Sequence, residues 1–579
     1  MLTIKNHNQK ELFDPWKFLG PKRRQKLERS WPGLFRNEIL KELPVDKLAP
    51  FFRADFGRPT KELYTVLGVL VLQETHDLTD EETVDQLSFN IQWHYALNIT
   101  EESDSAKYIA PKTLWTMRSL AVTHKLDNIL FENVTKKLAD VFKVDTDKQR
   151  IDSVHIKSNM RRLGRINMFA KTIHKFLINL KRNHQELFDT IAKDLADRYL
   201  TEKALGCFSK IKPSESSKTL TSVSNDLFDL VQQFKGHKEV ATMHSYKLLE
   251  RVLAEQCVVN ETDGENPLAV RAPKQIPSDA LQNPSDPDAT YSSHKGQGYQ
   301  VQIMETYTDP EGKEAQQKEL NLITYVAVEP AHESDAKALM PALESTQQRD
   351  LAPKEVLADT HYGGDENCCN AEHQYGVKVI APTSGEQKKG TIPLSEFSTA
   401  EEGTVVSCPQ GHKPAWVKKK KNRHTAAFAY EHCSGCPHRE ECGAKAGKKY
   451  YYLHYTDRAL RVAIRRAYEQ TGEFKERYRL RSGIEATMSQ YDRRTGVKQL
   501  RVRGMKAVRF RATLKALSIN ILRAAAVLAA LINGPSHLFA AFSIIKERMR
   551  ALWRCLKKLI TAITSHCVET SSSQLIYGC

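Results

Sequence analysis

From about Leu40 to Leu138 apolar residues recur at intervals of three and four, as in TKELYTVLGVLVLQETHDLTDEETVDQLSFN, and this spacing predicts packed helices. Within it LTDEE reads as a helix start, with Thr79 as N-cap ahead of acids in the first turn. The period changes to two in QRIDSVHIKSN. There Asp152, Val154 and Ile156 share one side of a short predicted strand and Ile151 takes the other. Helical spacing returns from Ile166 to Val259, interrupted by the Ser-rich KPSESSKTLTS. The following stretch to Gly298 is dense in Pro, Gly, Asp and Ser and predicts a long loop.

Two strands, YQVQIMETY and LITYVAVEP, then a helix, SDAKALMPALESTQQRD, and a further strand, EVLADTHYGG, describe an α/β core. From Val377 to Asp457, short β-like runs (TVVS, HTAAFAY, KYYYLHY) mix with Cys, Gly and the run KKKK at 418–421, which predicts a β-rich insertion. Helices then continue to Asn533. The chain of 579 residues is too long for one ordinary core. It divides into a helical DNA-binding or dimerising region (1–140), a first core segment (141–165) and a helical insertion (166–260). A linker with the second core segment (261–376), the β-rich insertion (377–457), core helices (458–533) and a tail (534–579) follow. In the tail, apolar residues from Leu538 to Ile563 step by three or four. They predict an amphipathic helix that docks on the chain itself, pairs between protomers or lies on a membrane surface.

Composition narrows the partners. With 86 Lys and Arg against 70 Asp and Glu, the formal charge is +16, so a polyanion is the expected partner and nucleic acid leads. The opening MLTIKNHNQKELF has no signal-peptide pattern. The longest apolar stretch, ALSINILRAAAVLAALING, carries Asn520 and Arg523 and reads as a buried helix rather than a membrane span. A cytoplasmic location, on DNA, is expected.

Charge also isolates one residue. Between Lys475 and Arg509 stand eleven Lys or Arg and only three acids, Glu476, Glu485 and Asp492. On a continuous α-helix, at about 100° per residue, Tyr478, Arg481, Glu485 and Asp492 would share one face. An Arg481–Glu485 surface pair alone would contribute only about 0.2–0.5 kcal/mol. Two more acids change the picture: Asp152 inside an apolar strand, where an acid needs a partner or a metal, and Asp359 at the expected carboxyl end of VLAD. Two strand carboxylates and one helix carboxylate suit two Mg²⁺ ions about 3.5–4 Å apart, with cations alongside to hold a DNA backbone. Asp145, Asp147, Asp286, Asp288, Asp365 and Glu366 compete for these roles, but none combines a central strand position with an apolar setting.

In RIDSVHIKSNM, DPDATYSSHKGQGYQVQI, VEPAHESDAKALMPAL, VLADTHYGG and YRLRSGIEATMSQYDRRTG, between about Phe51 and Leu522, the chain resembles the DDE transposases of bacterial insertion sequences. The resemblance implies a helical N-terminal domain and a split RNase H-like core with a helical and a β-rich insertion. It also implies Asp152, Asp359 and Glu485 as metal-binding and catalytic triad, Mg²⁺ or Mn²⁺ as cofactor, and cleavage of the element's ends with joining of 3′-hydroxyls to target DNA. Tyr478 and Arg481 match the helix motif Y-x2-R-x3-E-x6-K of many relatives and would contact DNA; its Lys slot holds Asp492, with Arg493 and Arg494 directly after. The partners implied are the terminal inverted repeats, target DNA and a second protomer. An RNase H-like nuclease or resolvase without strand joining, or a DNA-binding descendant without catalysis, remains open.

Cys408, Cys433, Cys436 and Cys442 form a separate pattern. The CSGC turn presents two thiolates together, and four such ligands make a closed structural zinc site, with His412, His432 and His438 as alternative donors.

Overall fold

In the computed structural model, which describes residues 2–9, 13–200, 208, 211–260, 267–385, 390–400 and 404–533, the period-two segment forms β1 (Lys148–Lys157). Both of its faces are covered. Val154 and Ile156 enter one apolar core and Ile151 another. Five more strands complete the sheet: β2 (Thr290–Ser292), β3 (Gly296–Thr306), β4 (Ile323–Pro330), β5 (Glu355–Leu357) and β6 (Lys378–Ile380). β3 lies antiparallel to β1, with Asp152 opposite Ile303. β2 and β4 pair antiparallel with the other edge of β3. On the far side of β1, β5 and then β6 run parallel to it.

The early helical pattern yields α1 (Leu63–Thr75), α2 (Asp80–Phe89), α3 (Pro111–Thr123) and α4 (Leu126–Phe142). α2 begins with a capping box: the Thr79 hydroxyl accepts from the Glu82 N–H, and the Glu82 carboxylate accepts from the Thr79 N–H. α5 (Arg165–Asn183), α6 (Ser216–Phe234) and α7 (His244–Gln256) close around their own core of Phe169, Phe176, Leu227, Phe234 and Leu249. α8 (Asp365–Tyr375) links β5 to β6, the crossover a parallel pair requires. The β-rich insertion holds a four-stranded antiparallel sheet of β7 (Trp416–Lys420), β8 (Arg423–Ala429), β9 (Lys445–Ala446) and β10 (Tyr450–Thr456), in the order β7–β8–β10–β9. β10 runs directly into α9 (Asp457–Glu469), followed by α10 (Gly472–Tyr478), α11 (Gly483–Thr495) and α12 (Met505–Asn533).

α12 explains why the longest apolar stretch carries polar residues. It packs against α1, α4 and β4, within a core continuous from the N-terminal helices to one face of the main sheet. The Asn520 amide donates to the Ile323 carbonyl at 2.8 Å and accepts from the Ile323 N–H at 2.8 Å. Buried Lys515 donates to Asp77 at 2.7 Å beside Glu74, and Arg509 pairs with Asp127 at 2.9 Å. Among the described residues α12 alone has the length and apolarity to cross a membrane, but here it is a core helix. The amphipathic pattern from Leu538 to Ile563 lies outside the described residues.

Candidate active site

The register of the two central parallel strands sets the site. Arg150 stands opposite Leu357, so two residues further along Asp152 comes abreast of Asp359, on the same face of the sheet. Asp359 does not end a strand as VLAD suggests. β5 stops at Leu357, Ala358 still donates to the Ile380 carbonyl at 3.0 Å, and the Asp359 carboxylate accepts from the His361 N–H at 2.8 Å, which turns the chain.

Arg481 holds Asp152. Its Nη2 donates to Asp152 Oδ2 at 2.7 Å, while its Nη1 lies 3.5 Å from Glu485 Oε1, so one guanidinium spans two of the three acids. Burial pushes the Asp152 carboxyl above the usual carboxylate range; Arg481 pulls it down, and Asp359 and Asp335 push it up again. Glu485, in the first turn of α11, keeps 70% of its side chain exposed. Among the described residues, no group of three or more His, Cys, Asp or Glu side chains is gathered closely enough to hold a metal ion.

The chain carrying Tyr478, Arg481 and Glu485 is not one continuous α-helix. A 3₁₀ turn over Arg479–Ser482 separates α10 from α11. Each 3₁₀ residue turns about 20° further than an α residue, so over four residues the face expected to align Tyr478 with Glu485 rotates by roughly 80°. Arg150 accompanies the break: its Nη1 donates to the Leu480 carbonyl at 2.7 Å, and a side chain at position 483 would have to push its guanidinium aside, which Gly483 avoids. Tyr478 stacks on Phe474 in an apolar cluster with Tyr307 and Leu357, where burial raises its hydroxyl's pKa.

α11 is fixed from beneath by Glu305, a residue that no motif or spacing singles out. Its carboxylate is fully buried and binds Arg150 Nε at 2.8 Å, the Thr487 hydroxyl at 2.7 Å and Arg523 Nη1 at 2.9 Å. Asp335 was likewise hidden in a helix-like run. It accepts from the Gln302 amide at 2.9 Å and stands 3.6 Å from Lys295 Nζ.

Asp492 sits 3.5 Å from Lys498 Nζ, a local tie at the end of α11, and Arg493 and Arg494 are exposed. Several competing acids have structural work. Asp147 pairs with Lys354, Asp365 is clamped by Arg461 and Arg465 of α9, Asp286 accepts from Ser158 and Tyr299, and Asp288 accepts from the Met505 N–H.

Cys408, Cys433, Cys436 and Cys442 line one pocket of the insertion together with His412, His432 and His438. The Cys433 thiol is pushed up to about 11 by burial and by Cys442, Cys408 and Cys436. Backbone bonds fold tight turns at the cysteines: the Gly411 N–H donates to the Cys408 carbonyl at 2.8 Å, and the Arg439 N–H donates to the Cys436 carbonyl at 3.1 Å.

Residues 407–525, which include the four cysteines and Glu485, match a family model described as a transposase DDE domain. Residues 26–120 match a second one, described as a transposase domain of the DUF772 type. No curated protein and no solved structure matches the chain.

Proposed function

Because the chain belongs to the DDE transposases of insertion sequences, we propose that it cuts DNA at the ends of its element and joins the freed 3′-hydroxyls to target DNA. The placement of Asp359, just past the end of β5, abreast of Asp152 on the adjoining β1, near a helix bearing Glu485, carries this reading. The same mixed sheet, interrupted by α5–α7 before β2 and by β7–β10 after β6, supports a split RNase H-like core.

By chemistry the donor set suits hard divalent cations: three carboxylates, one of them raised by burial and by a second acid, with a guanidinium placing positive charge between two of them; binding would draw the exposed Glu485 in as Arg481 leaves Asp152. Mg²⁺ or Mn²⁺, when bound, would activate the attacking water or 3′-hydroxyl and stabilise the departing oxygen. Asp152, Asp359 and Glu485 would hold the ions. Arg481, released from Asp152, would turn to a phosphate, with Tyr478, Arg493 and Arg494 as further DNA contacts. Two ends must meet for joining, which favours a homodimer on DNA. Purified protein incubated with labelled element ends, target plasmid and Mg²⁺ should give joined products. Cleavage without joining would indicate a nuclease, and binding alone a descendant without catalysis.

Arg481→Gln should tighten Mn²⁺ binding by about fivefold in calorimetry without DNA, since a competing cation worth roughly 1 kcal/mol is gone. DNA cleavage should fall in the same variant. Weaker or unchanged Mn²⁺ binding would show that Arg481 does not stand in the cation's place.

The cysteine pocket is proposed as a structural zinc site that closes when the four thiolates lining it draw together on the metal. Elemental analysis should return one zinc per chain. Cys436→Ser should lose it and quicken proteolysis between residues 390 and 456, because structural zinc supplies about 10 kcal/mol or more of folding free energy in small domains.

A further inference from the structure

The insertion's sheet has two unlike faces. One, carrying Phe428, Tyr451, Leu453 and Tyr455, packs into the insertion's core. On the other, the pairing register aligns Trp416, Tyr452 and Tyr450 across the strands, with His454 beyond them. Their rings form a row: Trp416 lies 6.2 Å from Tyr450 and 6.0 Å from Tyr452, and Tyr452 lies 6.2 Å from His454. Trp416 and His454 are exposed.

Charge on this face has one sign. Lys418, Lys420, Arg423 and Lys445 share it by strand alternation, and no acid occupies it in the four strands. Among the described residues none of these four has an ion-pair partner, whereas Lys419, which alternates to the opposite face, pairs with Asp457 at 3.3 Å.

We propose that this face binds single-stranded DNA, with Trp416, Tyr450 and Tyr452 stacking on unpaired bases and the surrounding cations holding the phosphates. A row of open rings is of little use to a duplex, whose bases are already stacked on one another; single strands offer free base faces, and cations beside aromatic rings are what such sites combine. The inference rests on the proposed transposase reading only for the source of the strand, DNA opened beside a cut element end. β10 leads into α9, whose Arg461 and Arg465 grip Asp365, six residues after Asp359, so the platform is tethered to the chain of the acid site.

The test uses the full chain in EDTA, so that metal chemistry does not enter. Anisotropy of a fluorescein-labelled (dT)12 should show Trp416→Ala/Tyr452→Ala weakening binding by about thirtyfold or more, as expected for losing two stacked bases. Binding of a 12-base-pair duplex should stay within about twofold, since phosphate contacts remain. Equal losses for both DNAs would overturn the proposal in favour of phosphate contact alone. In the unaltered protein, a 5-iodouracil oligonucleotide should photo-crosslink to peptides bearing Trp416, Tyr450 or Tyr452; crosslinks elsewhere would also overturn it. A Glu485→Gln chain that still joined DNA would sink the triad without touching this result, and loss of single-strand binding would leave the triad standing.

Discussion

Glu485→Gln should reduce both cleavage and strand joining by about 10³-fold or more, because loss of one carboxylate from a metal pair removes several kcal/mol of transition-state stabilisation. The melting temperature should not change, since the side chain is 70% exposed and its contact with Arg481 is a surface pair. Affinity for an element end in the absence of metal should hold within about threefold, because a neutral residue among eleven cations does not weaken their grip on phosphates. Equal protein levels, an intact melt and retained DNA binding make the assay specific. Normal joining under those conditions would remove Glu485 from the triad. Asp152→Asn should give a similar loss of activity. It also takes from Arg481 its closer and more buried countercharge, leaving only the exposed Glu485 at 3.5 Å, so some loss of stability should accompany it and Glu485→Gln is the cleaner experiment.

Asp152 was legible because an acid amid alternating apolar residues must be accounted for. Asp359 was expected to end the strand VLAD; it stands two residues past the end of β5, in the turn that its own carboxylate closes. The cysteines stood out by spacing and now line one pocket. What could not be read was tertiary. Helical arithmetic carried one face from Tyr478 to Asp492, but Arg150, 330 positions from Leu480, meets the chain there and a 3₁₀ turn intervenes. The charged partner of Asp152 proved to be Arg481, 329 positions away, while the adjacent Ser153 N–H donates to its other oxygen. Asn520 looked like a blemish in an apolar helix until it met both backbone groups of Ile323. Periodicity says which side of an element is buried and nothing about what covers it.

Glu305 is where this hidden tertiary information has its largest consequence. Glu305→Gln keeps the shape of the side chain but leaves Arg150 and Arg523 buried without their countercharge. Breaking a buried pair in this way costs about 3–5 kcal/mol, far more than any exposed substitution near the site. Urea denaturation should therefore show a loss of unfolding free energy of that size, read as a lower midpoint with an unchanged slope. Activity should fall as well, for a reason separate from folding: Thr487, on the same helix as Glu485, donates to Glu305, and Arg150 also accompanies the turn before that helix. At a denaturant-free temperature where the variant is fully folded, Mn²⁺ affinity should weaken, since α11 loses the anchor that sets the third carboxylate beside Asp152. A stable Glu305→Gln chain with unaltered Mn²⁺ affinity would mean that α11 is positioned by its apolar contacts, Ile484 and Tyr491, rather than by this buried charge.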